Sequence, residues 1–171
     1  MFSDATINYC NVTFAYYNSG RSNKVNVVYW LPAPSVFQNR YLSTGGGGYA
    51  INSGVSGGTA SLSRGVQYGA VSGLTDRGFG SIDTQFDAAF PLQNGIANYE
   101  ALFMFGYEAH HELSTIGKQL TRNFYGMNST KLYSYYQGCS EGGREGFSQV
   151  QRFGDEWDGA VIGAPALRFA H

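Results

Sequence analysis

Hydrophobic and polar positions in the first quarter of the chain follow a pattern typical of β-strands. Residues 8–17 and 24–31 are rich in β-branched and aromatic side chains. Asn18-Ser19-Gly20 lies between them and favours a turn, so the two runs predict a hairpin. Residues 38–44 predict a third strand, which ends at the four consecutive glycines Gly45 to Gly48.

The middle of the chain contains the clearest helical pattern. Its apolar residues recur at three- and four-residue steps within positions 98–125 and predict one amphipathic helix; they are Leu102, Phe105, Ala109, Leu113, Ile116, Leu120 and Phe124. The Gly/Ser-rich stretch before it, up to about residue 75, is assigned no helix or strand. Residues 78–83 are a short strand candidate.

The last third of the chain alternates between strand and helix patterns. We predict a strand over 131–137, a helix over about 142–152 and a buried strand over 157–163. This alternation is typical of a parallel α/β sheet. An antiparallel hairpin in front of it makes the expected fold class α/β with a mixed, mostly parallel sheet.

Composition limits the function classes. The chain has 171 residues, of which 43% are hydrophobic and 13% charged, with a formal net charge of −1. This length suits one domain with a sizeable core. No basic stripe indicates nucleic-acid binding, and no apolar run approaches the roughly 20 residues of a membrane helix.

Two cysteines and two glycosylation sequons suggest an extracellular protein. The cysteines are Cys10 and Cys139, and the sequons begin at Asn11 and Asn128. The segment after Met1 has no signal-peptide pattern. We therefore expect a secreted glycoprotein whose signal was removed, or a chain that begins inside a longer protein.

The segment from Gly138 to Gly142 has the form G-x-S-x-G around Ser140. Where a strand turns directly into a helix, the central residue is strained and its side chain projects outward. Glycines two positions away relieve the crowding. Gly54 to Gly58 matches the same pattern around Ser56, but it lies in a Gly/Ser-rich stretch with no convincing helix behind it. Ser140 is therefore the predicted nucleophile.

A nucleophilic serine in acyl transfer also needs an oxyanion hole. One donor is expected to be the backbone amide of Glu141, and the others those of Gly47 and Gly48, which follow a predicted strand. The alternative for the tetraglycine segment is a flexible surface loop. A phosphate-binding loop is less favoured because no Gly-Lys-Ser/Thr follows.

The residues after Ser140 offer no convincing base. His171 is the last residue of the sequence. His110 and His111 lie on the long predicted helix, where we expect structural hydrogen bonds near Ser140 rather than metal binding, since no H-E-x-x-H motif is present. We expect the acid and the base to lie outside this chain. Arg144 is predicted to anchor the helix after Ser140 rather than to touch substrate.

The sequence around Ser140, GCSEGGREG, resembles the signature of the fungal tannase and feruloyl esterase family. Three further stretches agree in order and spacing: YWLPAPSVFQNRYLSTGGGGYAIN (29–52), GKQLTRNFYG (117–126) and WDGAVIGAPA (157–166). The exact GCSEGGREG sequence is closer to that of tannases than to that of feruloyl esterases. The chain departs from the family where Asp83-Thr84-Gln85-Phe86 replaces the usual Asp-Thr-Gly-His.

The resemblance implies an α/β-hydrolase core interrupted further on by a lid domain, with residues 1–171 forming the N-terminal part of the core. It implies a Ser-Asp-His triad in which Ser140 matches the nucleophile. It also implies that Cys139 pairs with a cysteine beside the catalytic histidine and Cys10 with one upstream of Met1, although a Cys10–Cys139 bridge stays open. No cofactor is expected for catalysis, and the family's structural calcium would lie in the lid.

The expected function is therefore that of a secreted serine esterase acting on small phenolic esters. We expect a tannase that hydrolyses galloyl esters. The alternatives are a feruloyl esterase and a non-catalytic truncated product. The expected partner is the remaining C-terminal part of the same protein, without which this chain should be inactive.

Overall fold

The computed structural model describes residues 6–21, 23–48, 58–79, 92–93 and 95–167. Among these, the backbone alone is described for residues 58–61 and 92–93. The predicted positions Ser56 and His171 lie outside the described residues, as does the Asp83-Thr84-Gln85-Phe86 segment.

A mixed sheet of six strands forms the centre of the described structure. In chain order, the strands are β1 (Tyr9–Tyr17), β2 (Lys24–Pro32), β3 (Arg40–Thr44), β4 (Ala70–Thr75), β7 (Tyr133–Cys139) and β8 (Gly159–Gly163). Their order across the sheet is β1-β2-β4-β3-β7-β8. The pairs β1–β2 and β2–β4 are antiparallel, and the other three pairs are parallel. A separate two-stranded hairpin consists of β5 (Leu92–Gln93) and β6 (Ile96–Ala97).

Helices connect the parallel strands. They are α1 (Gly58–Gln67), α2 (Tyr99–Phe103), α3 (Ala109–Phe124) and α4 (Glu141–Arg152), with a π-helical turn at Met104–Glu108 and a 3-10 turn at Gly154–Glu156. None of the helices in the described ranges is long and apolar enough to cross a membrane. The carboxyl ends of β4, β3 and β7 meet at one edge of the sheet, because these strands are parallel neighbours.

The structure confirms the predicted N-terminal hairpin and the strand, helix, strand alternation at the end of the chain. The last strand, β8, was predicted to be buried, but it lies at the edge of the described sheet and is partly exposed. The 98–125 helix is present, but the π-helical turn divides it. The Gly/Ser-rich stretch between the tetraglycine segment and about residue 75 was assigned no helix or strand, and this is wrong, because α1 and the fully buried strand β4 lie there. Of the strand candidate 78–83, Gly78 and Phe79 lie in a turn and a bend, and the rest is outside the described residues.

Strand β4 was not predicted because most of its residues are small or polar. The sequence of β4 is AVSGLT, which lacks the β-branched and aromatic run that marks the other strands. The hydroxyl of the buried Ser72 donates a hydrogen bond to the carbonyl oxygen of Leu62 at 2.8 Å. This serine therefore satisfies its polar group locally while α1 packs closely on the strand.

Helix α3 is attached to the sheet by two buried tyrosines. The hydroxyls of Tyr29 and Tyr41 both donate to the carbonyl oxygen of Leu113, at 2.7 and 3.3 Å. Both rings are fully buried and pass over Gly117 of the helix. A Cβ atom at position 117 would lie 2.5 Å from Tyr41 Cε2 and 2.7 Å from Tyr29 Cε1, so only glycine permits this approach.

We predict that Gly117→Ala destabilises the protein by about 1–3 kcal/mol, because the added methyl group overpacks the tyrosine contact. Alanine is otherwise the better helix former by roughly 1 kcal/mol. Gly106→Ala is the matched control, since a Cβ there meets nothing within 4 Å. Urea denaturation should show a lower midpoint for Gly117→Ala only. An unchanged midpoint would contradict the close packing.

Candidate active site

Ser140 occupies a sharp bend between β7 and α4. Its backbone has φ 58° and ψ −118°, a left-handed conformation that non-glycine residues rarely adopt. The Ser140 amide donates to Gly163 O at 3.1 Å, and its carbonyl accepts from Arg144 N at 3.1 Å and Ala166 N at 2.9 Å. The side chain is exposed and makes no capping hydrogen bond. The bend therefore presents a free hydroxyl at the carboxyl edge of the sheet.

The tetraglycine segment packs directly against the start of α4. The Gly142 amide donates to Gly46 O at 2.9 Å. A Cβ on Gly142 would lie only 2.9 Å from Gly45 C and 3.0 Å from Gly45 Cα, so the two backbones touch. Gly47 is half-buried and Gly48, with φ 60°, is exposed. The structure thus brings the predicted loop and the predicted helix start together.

The first residue of α4 combines an unused amide with a buried carboxylate. The Glu141 N–H has no acceptor within the helix, as holds for the first turn of any α-helix. Its side chain is fully buried and accepts from Arg144 Nε at 3.0 and 2.9 Å. A positive helix end and a free N–H beside Ser140 favour negative charge at this position.

Arg144 and its neighbours on α4 bind the π-helical turn. Arg144 Nη1 donates to Gly106 O at 2.9 Å, and Nη2 donates to Phe105 O at 3.0 Å. Ser148 Oγ also donates to Gly106 O at 3.1 Å, and Gln149 Nε2 donates to Tyr107 O at 2.8 Å. The π-helical turn alters the helical hydrogen-bond ladder, and four of the bonds to its carbonyl oxygens come from α4. The predicted anchoring role of Arg144 is confirmed.

A fully buried carboxylate, Glu145, lies behind the bend. Its Oε2 accepts from the Gly46 amide at 3.0 Å and is 3.0 Å from His110 Nε2. Arg77, the second residue after β4, is ion-paired with Oε1. The hydroxyl of Tyr136 donates to Gly142 O at 2.6 Å and lies 3.4 Å from Glu145 Oε2. One buried cluster therefore links strands β4 and β7, helices α3 and α4, and the tetraglycine segment.

Burial sets the charge states of this cluster. Desolvation, followed by repulsion from Arg144, lowers the pKa of Arg77 to about 9, so its guanidinium stays charged at neutral pH. Desolvation, and then the charges of Arg77 and Arg144, hold the pKa of His110 well below its usual 6.5. His110 is therefore neutral, and its Nε2 lies 3.0 Å from Glu145 Oε2. Two arginines and two glutamates balance each other's charge.

Sequence reasoning missed Glu145, Arg77 and Tyr136. One signal was present: Glu141, Glu145 and Gln149 are spaced by four residues, which places three polar groups on one face of α4. All three are buried. Arg77 gave no signal, because it follows a strand that was itself not predicted.

The two neighbouring histidines pack against other side chains, but the hydrogen bonds expected for them are not found: His110 Nδ1, His110 Nε2 and His111 Nδ1 are buried without a hydrogen-bond partner. His110 contacts Glu145, and His111 stacks on Phe153 with ring centroids 3.7 Å apart. In the described part of the chain, no three His, Cys, Asp or Glu side chains form a group that could hold a metal ion. Being buried in the cluster, His110 is not placed to reach the exposed Ser140 hydroxyl.

The helix after Ser56 was not expected. We expected no helix after it, but α1 begins at Gly58. Ser56 itself lies outside the described residues, so the distinction rests on Ser140, whose strand, bend and helix are all observed.

Both cysteines are free and exposed, so the structure contains no Cys10–Cys139 bridge. Cys139 is the last residue of β7, directly beside Ser140, and Cys10 lies on β1. The Asn11 and Asn128 side chains, at the two sequons, are exposed. Pairing with cysteines elsewhere and glycosylation of these asparagines stay predictions.

The sheet order, the helical connections and the strained serine bend define the class of the protein as an α/β-hydrolase. Comparison with known proteins supports this class and refines it. The family model for tannase and feruloyl esterase matches residues 10–171. The chain belongs to the tannase and feruloyl esterase family.

The relatives of this chain include both tannases and feruloyl esterases. The chain is 48% identical to a tannase of Aspergillus oryzae over 171 residues, which are 99% of this chain and 28% of that protein. It is 34% identical to a probable feruloyl esterase of Arthroderma benhamiae over 166 residues, or 96% of this chain and 29% of that protein. The chain therefore spans less than a third of the length of these relatives.

The chain is also similar to solved structures of both kinds of enzyme. Tannin acyl hydrolase from Aspergillus niger superposes with a TM-score of 0.88 at 66% identity, over 97% of this chain and 30% of that one. Feruloyl esterase B from Aspergillus oryzae superposes with a TM-score of 0.76 at 32% identity, over 95% of this chain and 29% of that one.

We predict that His110 makes the folded protein sensitive to acid. The unfolded histidine takes up a proton as pH falls through about 6.5, whereas the buried one stays neutral. Unfolding then binds a proton, so stability falls below pH 6.5 by up to about 1.4 kcal/mol per pH unit. Denaturation from pH 7.5 to 5 measures the slope. His110→Gln should flatten it, and the control His111→Gln should retain it. Equal slopes in all three proteins would contradict the assignment.

Proposed function

We propose that the protein carrying this chain is a serine carboxylic ester hydrolase whose nucleophile is Ser140. One observation carries the proposal: a serine in a strained left-handed bend exposes its hydroxyl beside the free amide of a helix start and a glycine loop. The family membership supports the same reaction class.

In the proposed reaction, Ser140 Oγ attacks the carbonyl carbon of the ester. A histidine base outside the described residues takes the hydroxyl proton and then delivers it to the departing alcohol, leaving an acyl-enzyme. Water, deprotonated by the same base, attacks the acyl carbon, and the proton returns to Ser140 Oγ as the acid is released. An aspartate, also outside the described residues, orients the histidine.

The negative charge on the carbonyl oxygen is assigned to backbone amides. The proposed donors are the N–H groups of Glu141 and of Gly47 or Gly48. The contact between Gly46 and Gly142 supports this assignment, because it holds the two backbone segments side by side. Amides fixed in this way need no rearrangement when the charge develops.

We propose galloyl esters as the substrate class. The support is the degree of likeness: 48% identity to a tannase against 34% to a probable feruloyl esterase, and 66% to a solved tannin acyl hydrolase against 32% to a solved feruloyl esterase. Hydroxycinnamoyl esters are the second candidate, because relatives named feruloyl esterase match 96% of the chain.

We also propose that the enzyme is secreted. Exposed Cys10 and Cys139 suit disulfides to cysteines outside this chain, and exposed Asn11 and Asn128 suit glycosylation. These features together favour a secreted protein. The residues that complete the triad would come from the longer protein that the length of the relatives implies.

We predict that Ser140→Ala in the full-length protein lowers kcat by on the order of 10³-fold or more, because it removes the attacking oxygen. Ser56→Ala, at the other serine in the same sequence pattern, is the control and should retain activity. Hydrolysis of a phenolic methyl ester measures both. Full activity in Ser140→Ala would refute the proposed nucleophile.

We predict that the full-length enzyme prefers methyl gallate to methyl ferulate. The measurement is kcat/KM for each ester under identical conditions, with the two acids separated by chromatography. A preference for methyl ferulate would make the feruloyl alternative correct and leave the reaction class unchanged. Turnover of neither ester, with correctly folded protein, would contradict the proposed substrate class.

A further inference from the structure

The Gly46 amide is held by a side chain from the helix that follows Ser140. Glu145 lies on α4, five residues after Ser140, and its Oε2 accepts the Gly46 N–H at 3.0 Å. The return link is the Gly142 amide, which donates to Gly46 O at 2.9 Å. Both polar groups of Gly46 are therefore bound by α4, directly before the proposed oxyanion donors Gly47 and Gly48.

We propose that Glu145 is a positioning residue for the ester hydrolysis: it fixes the glycine loop so that the next amides face the carbonyl oxygen of the substrate. The inference rests on the proposed function of Ser140 and extends it to a residue that does not touch substrate. Glu145 is fully buried, and its link to the glycine loop is its hydrogen bond with the backbone of Gly46.

A glycine loop needs an external restraint. Glycine has the largest choice of backbone conformations, so four in sequence would sample many orientations of their N–H groups. Oxyanion stabilisation requires donors that are already in place before the charge appears. The loop's own side chains cannot supply the restraint, because it has none. A buried carboxylate on the neighbouring helix can.

The surroundings of Glu145 require a carboxylate rather than an amide. Three polar groups converge on it: the Gly46 N–H donates to Oε2 at 3.0 Å, the Arg77 guanidinium is ion-paired with Oε1, and His110 Nε2 lies 3.0 Å from Oε2. An ionised carboxylate accepts from the Gly46 amide and pairs with the Arg77 charge at the same time, and such charge-assisted bonds are stronger than neutral ones. A glutamine would turn its NH₂ group toward at least one donor.

Aspartate would also be inadequate, because its side chain is one methylene shorter. The carboxylate would then withdraw from Gly46 toward α4, and the gap could not close, since Gly142 already touches Gly45. Both the length and the charge of Glu145 thus match the distance between the helix and the loop.

The test compares Glu145→Gln with Glu156→Gln in the full-length enzyme. Glu156 is a matched control because its carboxylate is partly exposed and pairs with Lys118 at 2.7 Å, outside the cluster. Competent active sites are first counted by exhaustive reaction with an organophosphonate, so that kcat is expressed per reactive serine. The same measurement on a thionoester substrate places sulfur, a poor hydrogen-bond acceptor, in the oxyanion position.

For Glu145→Gln we expect kcat per reactive serine to fall on the order of 10- to 100-fold, with KM little changed, because oxyanion donors act in the transition state. The preference for ester over thionoester should shrink by a similar factor. Glu156→Gln should match wild type in both. A residue with a merely structural role would lower the number of reactive serines but leave kcat per serine unchanged, and that result would overturn the proposal.

Should Glu145→Gln fail to fold, the double variant Arg77→Gln with Glu145→Gln removes the buried charge pair together and is judged by the same criteria. Hydrogen exchange of the Gly46 amide, measured in the wild-type enzyme, tests the same hydrogen bond without any variant. Slow exchange is expected, and exchange at the rate of an open loop would overturn the proposal.

Ser140→Ala separates the positioning role of Glu145 from the proposed function. Retained activity in Ser140→Ala would refute the proposed function. An inactive Ser140→Ala together with an unaffected Glu145→Gln would refute only the positioning role.

Discussion

The left-handed backbone of Ser140 is the constraint on which the rest of the site depends. A non-glycine residue in such a conformation costs on the order of 1–3 kcal/mol and persists only where its surroundings hold it. Here three backbone hydrogen bonds hold it: its amide donates to the Gly163 carbonyl oxygen, and its own carbonyl oxygen accepts from the Arg144 and Ala166 amides. In this conformation the hydroxyl projects from the edge of the sheet. Helix α4 begins directly after the bend, and its first amide has no acceptor within the helix.

Behind this bend, the protein buries three charged side chains, Arg77, Glu141 and Glu145, in place of a simple apolar core, with Arg144 half-buried beside them. Burying ions is costly, and a well-packed apolar cluster of the same volume is often at least as stable. The ionic cluster adds hydrogen bonds, which have a fixed direction. Arg144 is tied to the carbonyls of the π-helical turn, and Glu145 to Gly46, so hydrogen bonds fix α4 against the helix and loop beside it. An apolar contact would allow those elements to slide.

Much of the fold could be predicted from the sequence, because several elements have clear periodicity. The N-terminal hairpin, the long helix and the bend at Ser140 were each marked by local residues. Strand β4 was not, since Ser72 and Gly73 serve close packing against α1, β2 and α3, which only the tertiary structure supplies. Arg77 was not recognised as a site residue because it is the second residue after this unpredicted strand. The partnership of Glu145 with Gly46 joins residues 99 positions apart, and no local pattern reports such a pair.

The central claim is that the bend places Ser140 beside amides prepared for an oxyanion, and a crystal structure of the full-length enzyme with an organophosphonate tests it most directly. The account predicts phosphorus bonded to Ser140 Oγ, with the phosphoryl oxygen about 2.7–3.1 Å from the Glu141 amide and from that of Gly47 or Gly48. A phosphoryl oxygen directed away from these amides, or an adduct on another residue, would contradict it.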